Sequence, residues 1–307
     1  MISHIYIITM DGVVRYSKSF FGSTYVNNDI ISFLTLITRV SKKIGGGNIR
    51  SLNFENFNFV YDYGNQDYVF IITTASNDPE EGAEEKLKLL KEEFFKRFNK
   101  DLEKKIDDQS ENFKEFSDFI NEKIFLPPKI LLVGEPGVGK KSIMDLFPGE
   151  TVLELDDDLN EVVEKNVKLS NLKGISEFIL REINFQDLLD NFSKYKLLID
   201  SINIFCMVTN SGAGNLSKTK HLYSRLKERA SKADFYIIAN FQDSVNSAFE
   251  PSKISESFGL KTFGFSAIQV GAREQIDRII KEILETSITN KFENQNLSIN
   301  TIKSIKK

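Results

Sequence analysis

Apolar residues recur along this chain in two rhythms. Over the first hundred residues, short apolar runs alternate with turn signals. Ile5-Tyr6-Ile7-Ile8 is the first run, and Asp11-Gly12, a strong hairpin signal, separates it from a return strand over 13–20. From Asn27 to Ile44 the apolar positions Ile30, Phe33, Leu34, Ile37 and Ile44 fall at helical spacing, and Gly45-Gly46-Gly47 ends that helix. Three strands are expected over 49–54, 57–63 and 68–72, with Gly64-Asn65 turning the second into the third. Asp78-Pro79-Glu80-Glu81 opens a long helix with Leu87, Leu90, Phe94, Phe95, Phe98 and Leu102 as its buried stripe. The predicted order is ββαβββα.

A charged amphipathic helix follows over 109–124, with Phe113, Phe116, Phe119 and Ile120 on one face, and Pro127-Pro128 stops it. It reads as a connector docked by its phenylalanines. Beyond it, apolar strands alternate with helices. Strands are expected over 129–133, 166–170, 175–183, 202–209, 235–239 and 261–265, and helices over 142–147, 215–230 and 270–284. That alternation predicts an α/β domain with a mostly parallel sheet covered on both faces. The expected division is a first domain over 1–106, a connector over 107–128, a second domain over 129–286 and a flexible, polar, basic tail over 287–307.

The specific chemistry sits at the start of the second domain. Gly134-Glu135-Pro136-Gly137-Val138-Gly139-Lys140 matches G-x-x-x-x-G-K directly after an apolar strand and before a helix. That is the context a phosphate-binding P-loop requires. The glycines let backbone N–H groups turn inward around a phosphate, and Lys140 is expected to reach the β- and γ-phosphates. The plain alternative is a glycine-rich strand-to-helix turn with no ligand. The next position breaks the pattern: a Ser or Thr whose hydroxyl holds Mg²⁺ is replaced by Lys141, with Ser142 one step later. Consecutive helical residues point about 100° apart, so Ser142 is not a simple substitute. Either Lys141 points to solvent and magnesium binding is weakened, or its ammonium sits near the metal position and neutralises phosphate. Both predict nucleotide binding with a weak Mg²⁺ dependence.

Composition narrows the partners. The 307 residues carry a formal charge of −4, which disfavours nucleic acid as a partner. The lone Cys206 allows neither an internal disulfide nor a cysteine-rich zinc site, and fits a reducing cytoplasmic setting. No signal peptide, no apolar run of membrane-spanning length and no C-terminal prenylation cysteine is visible. Membrane recruitment is therefore expected only through a partner or a surface patch.

Two resemblances follow from these residues. The ββαβββα order, the helix–Gly-Gly-Gly–strand junction and the Asn58-Phe59-Val60-Tyr61 strand resemble a longin domain, a profilin-like module of trafficking proteins. The resemblance implies protein partners met through the first helix and its neighbouring strand. The stretch 129–286 resembles a small GTPase. Asn240-Phe241-Gln242-Asp243 is similar to the guanine-reading N-K-x-D motif, with Asp243 as the acceptor for the base and Phe241 in the lysine's place. Ser266-Ala267 matches the element whose backbone N–H meets guanine O6.

The third-strand motif D-x-x-G-Q corresponds to Glu182-Ile183-Asn184-Phe185-Gln186. The family pattern makes Glu182 a magnesium neighbour, Phe185 the replacement for a γ-phosphate-sensing glycine, and Gln186 the water-positioning catalytic residue beside Lys140. For the switch threonine on magnesium the candidates are Thr151 and, nearer the usual distance, the acidic run Asp156-Asp157-Asp158. Taken together, the chain resembles longin-domain GTPases of the Rab/Arf/Rag type, particularly atypical archaeal forms. The resemblance implies a GTP/GDP-binding switch with slow or partner-dependent hydrolysis. A pseudo-GTPase scaffold without hydrolysis stays open beside it, and a P-loop ATPase or kinase stands third. Partner identities and oligomeric state are not legible in the sequence.

Overall fold

The computed structural model describes residues 1–20, 28–55, 57–65, 67–76, 78, 80–98, 111–155, 161–170, 172, 175–183, 185–244 and 247–293. The chain divides into two compact units, Met1–Leu126 with Lys173–Ile175, and Pro127–Leu172 with Ser176–Lys307. No helix among the described residues is long and apolar enough to cross a membrane.

In the first unit, β1 (Ile2–Thr9) and β2 (Val14–Ser19) form the hairpin expected around Asp11-Gly12. Then come α1 (Asn28–Lys43), β3 (Ser51–Asn53), β4 (Phe57–Tyr63), β5 (Tyr68–Ala75) and α2 (Glu80–Phe98). The sheet is antiparallel, in the order β2-β1-β5-β4-β3. Leu87, Leu90, Phe94 and Phe98 of α2 are buried as the periodicity predicts; Leu102 lies outside the described residues.

α1 departs from its expected stripe. Its inward row is Ile30, Ile31, Leu34, Thr35 and Thr38, while Phe33 is 37% and Ile44 77% exposed. Two of these inward positions are threonines, and one of them, Thr38, satisfies its hydroxyl within the helix by donating from Oγ1 to the Leu34 carbonyl at 2.7 Å. The outward row keeps Phe33, Leu36, Val40 and Ile44 in solvent.

The expected connector helix belongs to the first unit. α3 (Glu111–Phe119) runs into a π-helical turn, Ile120–Ile124. Phe116 is fully buried, with ring centroids 5.1 Å from Tyr16, 5.4 Å from Phe98 and 5.8 Å from Phe94.

The second unit comprises β6 (Lys129–Val133), α4 (Lys140–Leu146), β7 (Thr151–Leu155), β8 (Glu161–Lys168), β9 (Glu177–Glu182), α5 (Phe185–Asp190) and α6 (Lys196–Ser201). It continues through β10 (Ile204–Thr209), α7 (Ala213–Arg229), β11 (Asp234–Ala239), α8 (Pro251–Phe258), β12 (Thr262–Gly264) and α9 (Ala272–Ile288). The seven strands lie in the order β12-β11-β10-β6-β9-β8-β7. β12 through β9 are parallel, β8 pairs antiparallel with β9, and β7 pairs antiparallel with β8.

Two expectations change here. The strand expected over 166–170 is β8, and β7 pairs with it as an additional edge strand. Glu161, Glu164, Lys165 and Lys168 hide β8 in the hydropathy pattern, yet Lys165 is buried. Its ammonium donates to the Met144 and Phe147 carbonyls at 3.0 Å each, holding the C-terminal turn of α4. The second change is at the C-terminal end. α9 and a π-helical turn (Thr289–Glu293) carry the fold past the expected domain end at 286. Lys291 is buried and donates to the Asn203 carbonyl at 3.1 Å, and Ser287 bonds Asp234. Residues 294–307 of the expected tail lie outside the described residues.

Candidate functional site

β6 is the strand from which the chain first builds toward β9, β8 and β7 and later crosses to β10, β11 and β12. In an open parallel sheet such a reversal leaves a crevice beyond the carboxyl ends of the strands, where ligands bind. The loop 134–140 leaves β6 at this point.

Backbone geometry explains its glycines. A Cβ on Gly134 would stand 2.3 Å from the Val208 carbonyl oxygen of β10, so only hydrogen fits. Gly139 has φ +95°, and a Cβ there would meet Asn240 Nδ2 at 2.3 Å. Lys140 closes the loop from inside. Its Nζ donates to the Gly134 carbonyl at 2.9 Å and the Glu135 carbonyl at 3.2 Å, and stands 3.6 Å from Glu182 Oε1. Burial lowers the Lys140 pKa and raises that of Glu182, each against the pull of the other's charge.

The two elements expected to read the base converge on the same loop. Asn240, 2% exposed at the end of β11, donates from Nδ2 to the Val138 carbonyl at 3.0 Å. Its Oδ1 accepts from the Ala267 N–H at 3.3 Å. Ser266 Oγ donates to Asp243 Oδ1 at 2.6 Å. Phe241, 37% exposed, sits at φ +63° and brings its ring edge near Gly139. Ser211, at the end of β10, sits at φ +62° and donates to the Asn240 carbonyl at 2.6 Å. Left-handed non-glycine residues store strain and concentrate at functional sites.

The sequence did not single out the support beneath this floor. Asn215 of α7 donates to Glu135 Oε2 at 2.6 Å and accepts from Thr209 Oγ1 at 2.5 Å. Lys218 reaches Glu135 Oε1 at 2.6 Å. Burial resists ionisation of Glu135, but the bonds from Lys218 and Asn215 outweigh it and hold its pKa below the usual range. The only sequence signal was the polar stop Thr209-Asn210-Ser211 after an apolar strand.

Other expected site residues fall less neatly. Pro136 is exposed, and so are Lys141 and Ser142 on α4. Glu182 ends β9, where Lys140 and Lys141 both attract its carboxylate and Asp145 repels it. Phe185 begins α5, and its ring is buried in the core among Ile183, Leu188 and Leu198. The side chain of Gln186 lies outside the described residues, as do Asn184 and Asp156–Asp158. Thr151 is not brought to the site. It is an exposed residue of the edge strand β7, three strand spacings or about 14 Å of sheet from β6.

The donor set separates the two expected ligands. The glycine cradle and the two elements expected to read a base fit a nucleotide. For Mg²⁺ the set is poorer: an exposed lysine, Lys141, takes the sequence position of the hydroxyl ligand, and Glu182 Oε1 stands 3.6 Å from Lys140 Nζ. Among the described residues no group of three His, Cys, Asp or Glu is placed to hold a metal ion.

No protein-family model and no curated protein matches this chain. Solved structures do. The cytosolic domain of the T. maritima FeoB iron transporter, in its GMPPNP form, aligns at 15% identity and TM-score 0.43, over 53% of this chain and 65% of that one. The FeoB G-domain from Methanococcus jannaschii aligns at 18% identity and TM-score 0.40, over 54% and 99%. The T. maritima FeoB G domain aligns at 14% identity and TM-score 0.40, over 51% and 98%.

Proposed function

We propose that this chain is a guanine-nucleotide-binding protein of small-GTPase type, with slow or partner-dependent GTP hydrolysis. The observation that carries the reading is the Asn240 side chain. One amide ties the phosphate loop, through Val138, to the second base-reading element, through Ala267. A plain glycine-rich turn has no use for that bridge. Asp243, aligned by Ser266, then offers a carboxylate that guanine N1 and N2 can donate to and adenine cannot. The first unit, which resembles a longin domain in its ββαβββα order, serves protein interaction or autoregulation in a trafficking-like system. Its exposed row Phe33, Leu36, Val40 and Ile44 supports a partner-facing role. Recruitment to a membrane then goes through such partners, in the cytoplasm.

The buried ring of Phe185 favours a second reading, a nucleotide-holding scaffold without hydrolysis. Phosphoryl transfer needs positioned phosphates, metal and water. A residue anchored in the core is a poor hinge for responding to a γ-phosphate.

Asp243→Asn tests the guanine reading. An amide donates where the carboxylate accepted, so GDP affinity falls at least tenfold and xanthosine diphosphate gains. Unchanged GDP binding in this variant, measured by calorimetry, removes the guanine reading. Single-turnover hydrolysis of bound GTP then separates a slow enzyme from a scaffold.

A further inference from the structure

We infer that Glu135 is a positioning residue of the loop 134–140: clamped by Asn215 and Lys218 of α7, it sets how long a bound nucleotide stays. The inference rests on the guanine-nucleotide reading above and assigns a kinetic control to that same site.

A carboxylate in a loop built for phosphate would repel its ligand if left free. Here both of its oxygens are engaged by α7. Glu135 Oε2 accepts from Asn215 Nδ2 at 2.6 Å, and Oε1 meets Lys218 Nζ at 2.6 Å. Asn215 and Lys218 stand three positions apart on the helix, so they share one face and meet the same carboxylate. The Glu135 side chain is 18% exposed, which spares the pair part of the screening that weakens an open ion pair.

The clamp is anchored at both ends. Asn215 Oδ1 accepts from Thr209 Oγ1 at 2.5 Å and from the Asn210 N–H at 3.0 Å. With Oδ1 taken by two donors, Nδ2 is the group that faces Glu135. At the loop, the Glu135 carbonyl accepts from Lys140 Nζ at 3.2 Å. One residue therefore holds α7 with its side chain and Lys140 with its backbone. A loop held in shape before the ligand arrives spares the ordering cost of binding. Among variants of one site such changes show chiefly in the dissociation rate.

Stopped-flow kinetics of the full chain, with GDP and ADP carrying a fluorescent ribose label, reads association and dissociation separately. Glu135→Ala is expected to raise the GDP dissociation rate about five- to tenfold and to change the association rate by less than about twofold. A merely repulsive charge at this position predicts the opposite sign, because removing it would slow the release of an anion. Lys218→Met alters an exposed side chain and carries the test even if Glu135→Ala fails to fold. It is expected to raise the dissociation rate about threefold alone and to add nothing in the Glu135→Ala background, whereas Lys218→Arg keeps the parent rate. A dissociation rate unchanged or slowed in Glu135→Ala or unchanged in Lys218→Met, or a Lys218→Met effect of the same size with and without Glu135, overturns the inference. ADP held as long as GDP overturns the guanine reading instead, while the same variants still report on the clamp with either nucleotide. Binding of neither nucleotide overturns both.

Discussion

Asn240 and Gly139 belong together at the residue scale. The amide reaches Val138 only because position 139 carries no Cβ. Gly139→Ala adds a methyl 2.3 Å from Nδ2 and forces a left-handed φ on alanine. It is expected to cost about 1–3 kcal/mol of stability and to abolish nucleotide binding, read as lower Tm and as calorimetry without heat. These two residues were legible because motif spacing fixes them. The Glu135–Asn215 bond was not, since its partners stand 80 positions apart and nothing local announces it. A different single residue sets a pH response. His4 stacks on Tyr6, and burial lowers its pKa from 6.5 to about 4. The unfolded chain therefore takes up the proton first. Stability is unaffected above pH 6.5 and falls as pH drops toward 4, by at most about 1.4 kcal/mol per unit. His4→Asn, which cannot titrate, is expected to flatten that decline in denaturant midpoints measured from pH 7.5 to 4.5.

At the scale of elements, legibility follows how far side-chain character matches position. α2 was readable because its buried stripe is apolar throughout, whereas α1 turns two threonines inward and leaves an apolar row outside. β8 was misplaced because a lysine sits at a buried position. Lys165 serves the last carbonyls of α4, the helix that begins with Lys140. Lys165→Met keeps the bulk and removes the donor. It is expected to leave two acceptors poorly satisfied, lowering stability by about 1–3 kcal/mol and loosening nucleotide binding through the frayed helix. Unchanged thermal unfolding of this variant would show that water replaces the ammonium without cost.

At the scale of the whole molecule, the alternation of strands and helices after residue 128 was enough to announce a parallel sheet, and the first unit's element order was likewise legible. What the pattern could not show was the allegiance of α3, because an amphipathic helix does not name the surface it covers. Residues 1–126 are expected to unfold cooperatively by themselves. A fragment ending at 106 loses Phe116, Ile120 and Ile124 from the core, three side chains at about 1.5–3 kcal/mol each. It should melt at least about 10 °C lower, or fail to fold, by circular dichroism. The sheet order of the second unit also bears on synthesis. β6 is the first of its strands to leave the ribosome, yet both its neighbours, β9 and β10, come later, and β10 ends at Thr209. At about 5–20 residues per second the apolar segment Ile130–Val133 waits roughly 4–15 s for its second partner strand. The strand that bears the loop 134–140 is thus also the one that a nascent chain must shield longest.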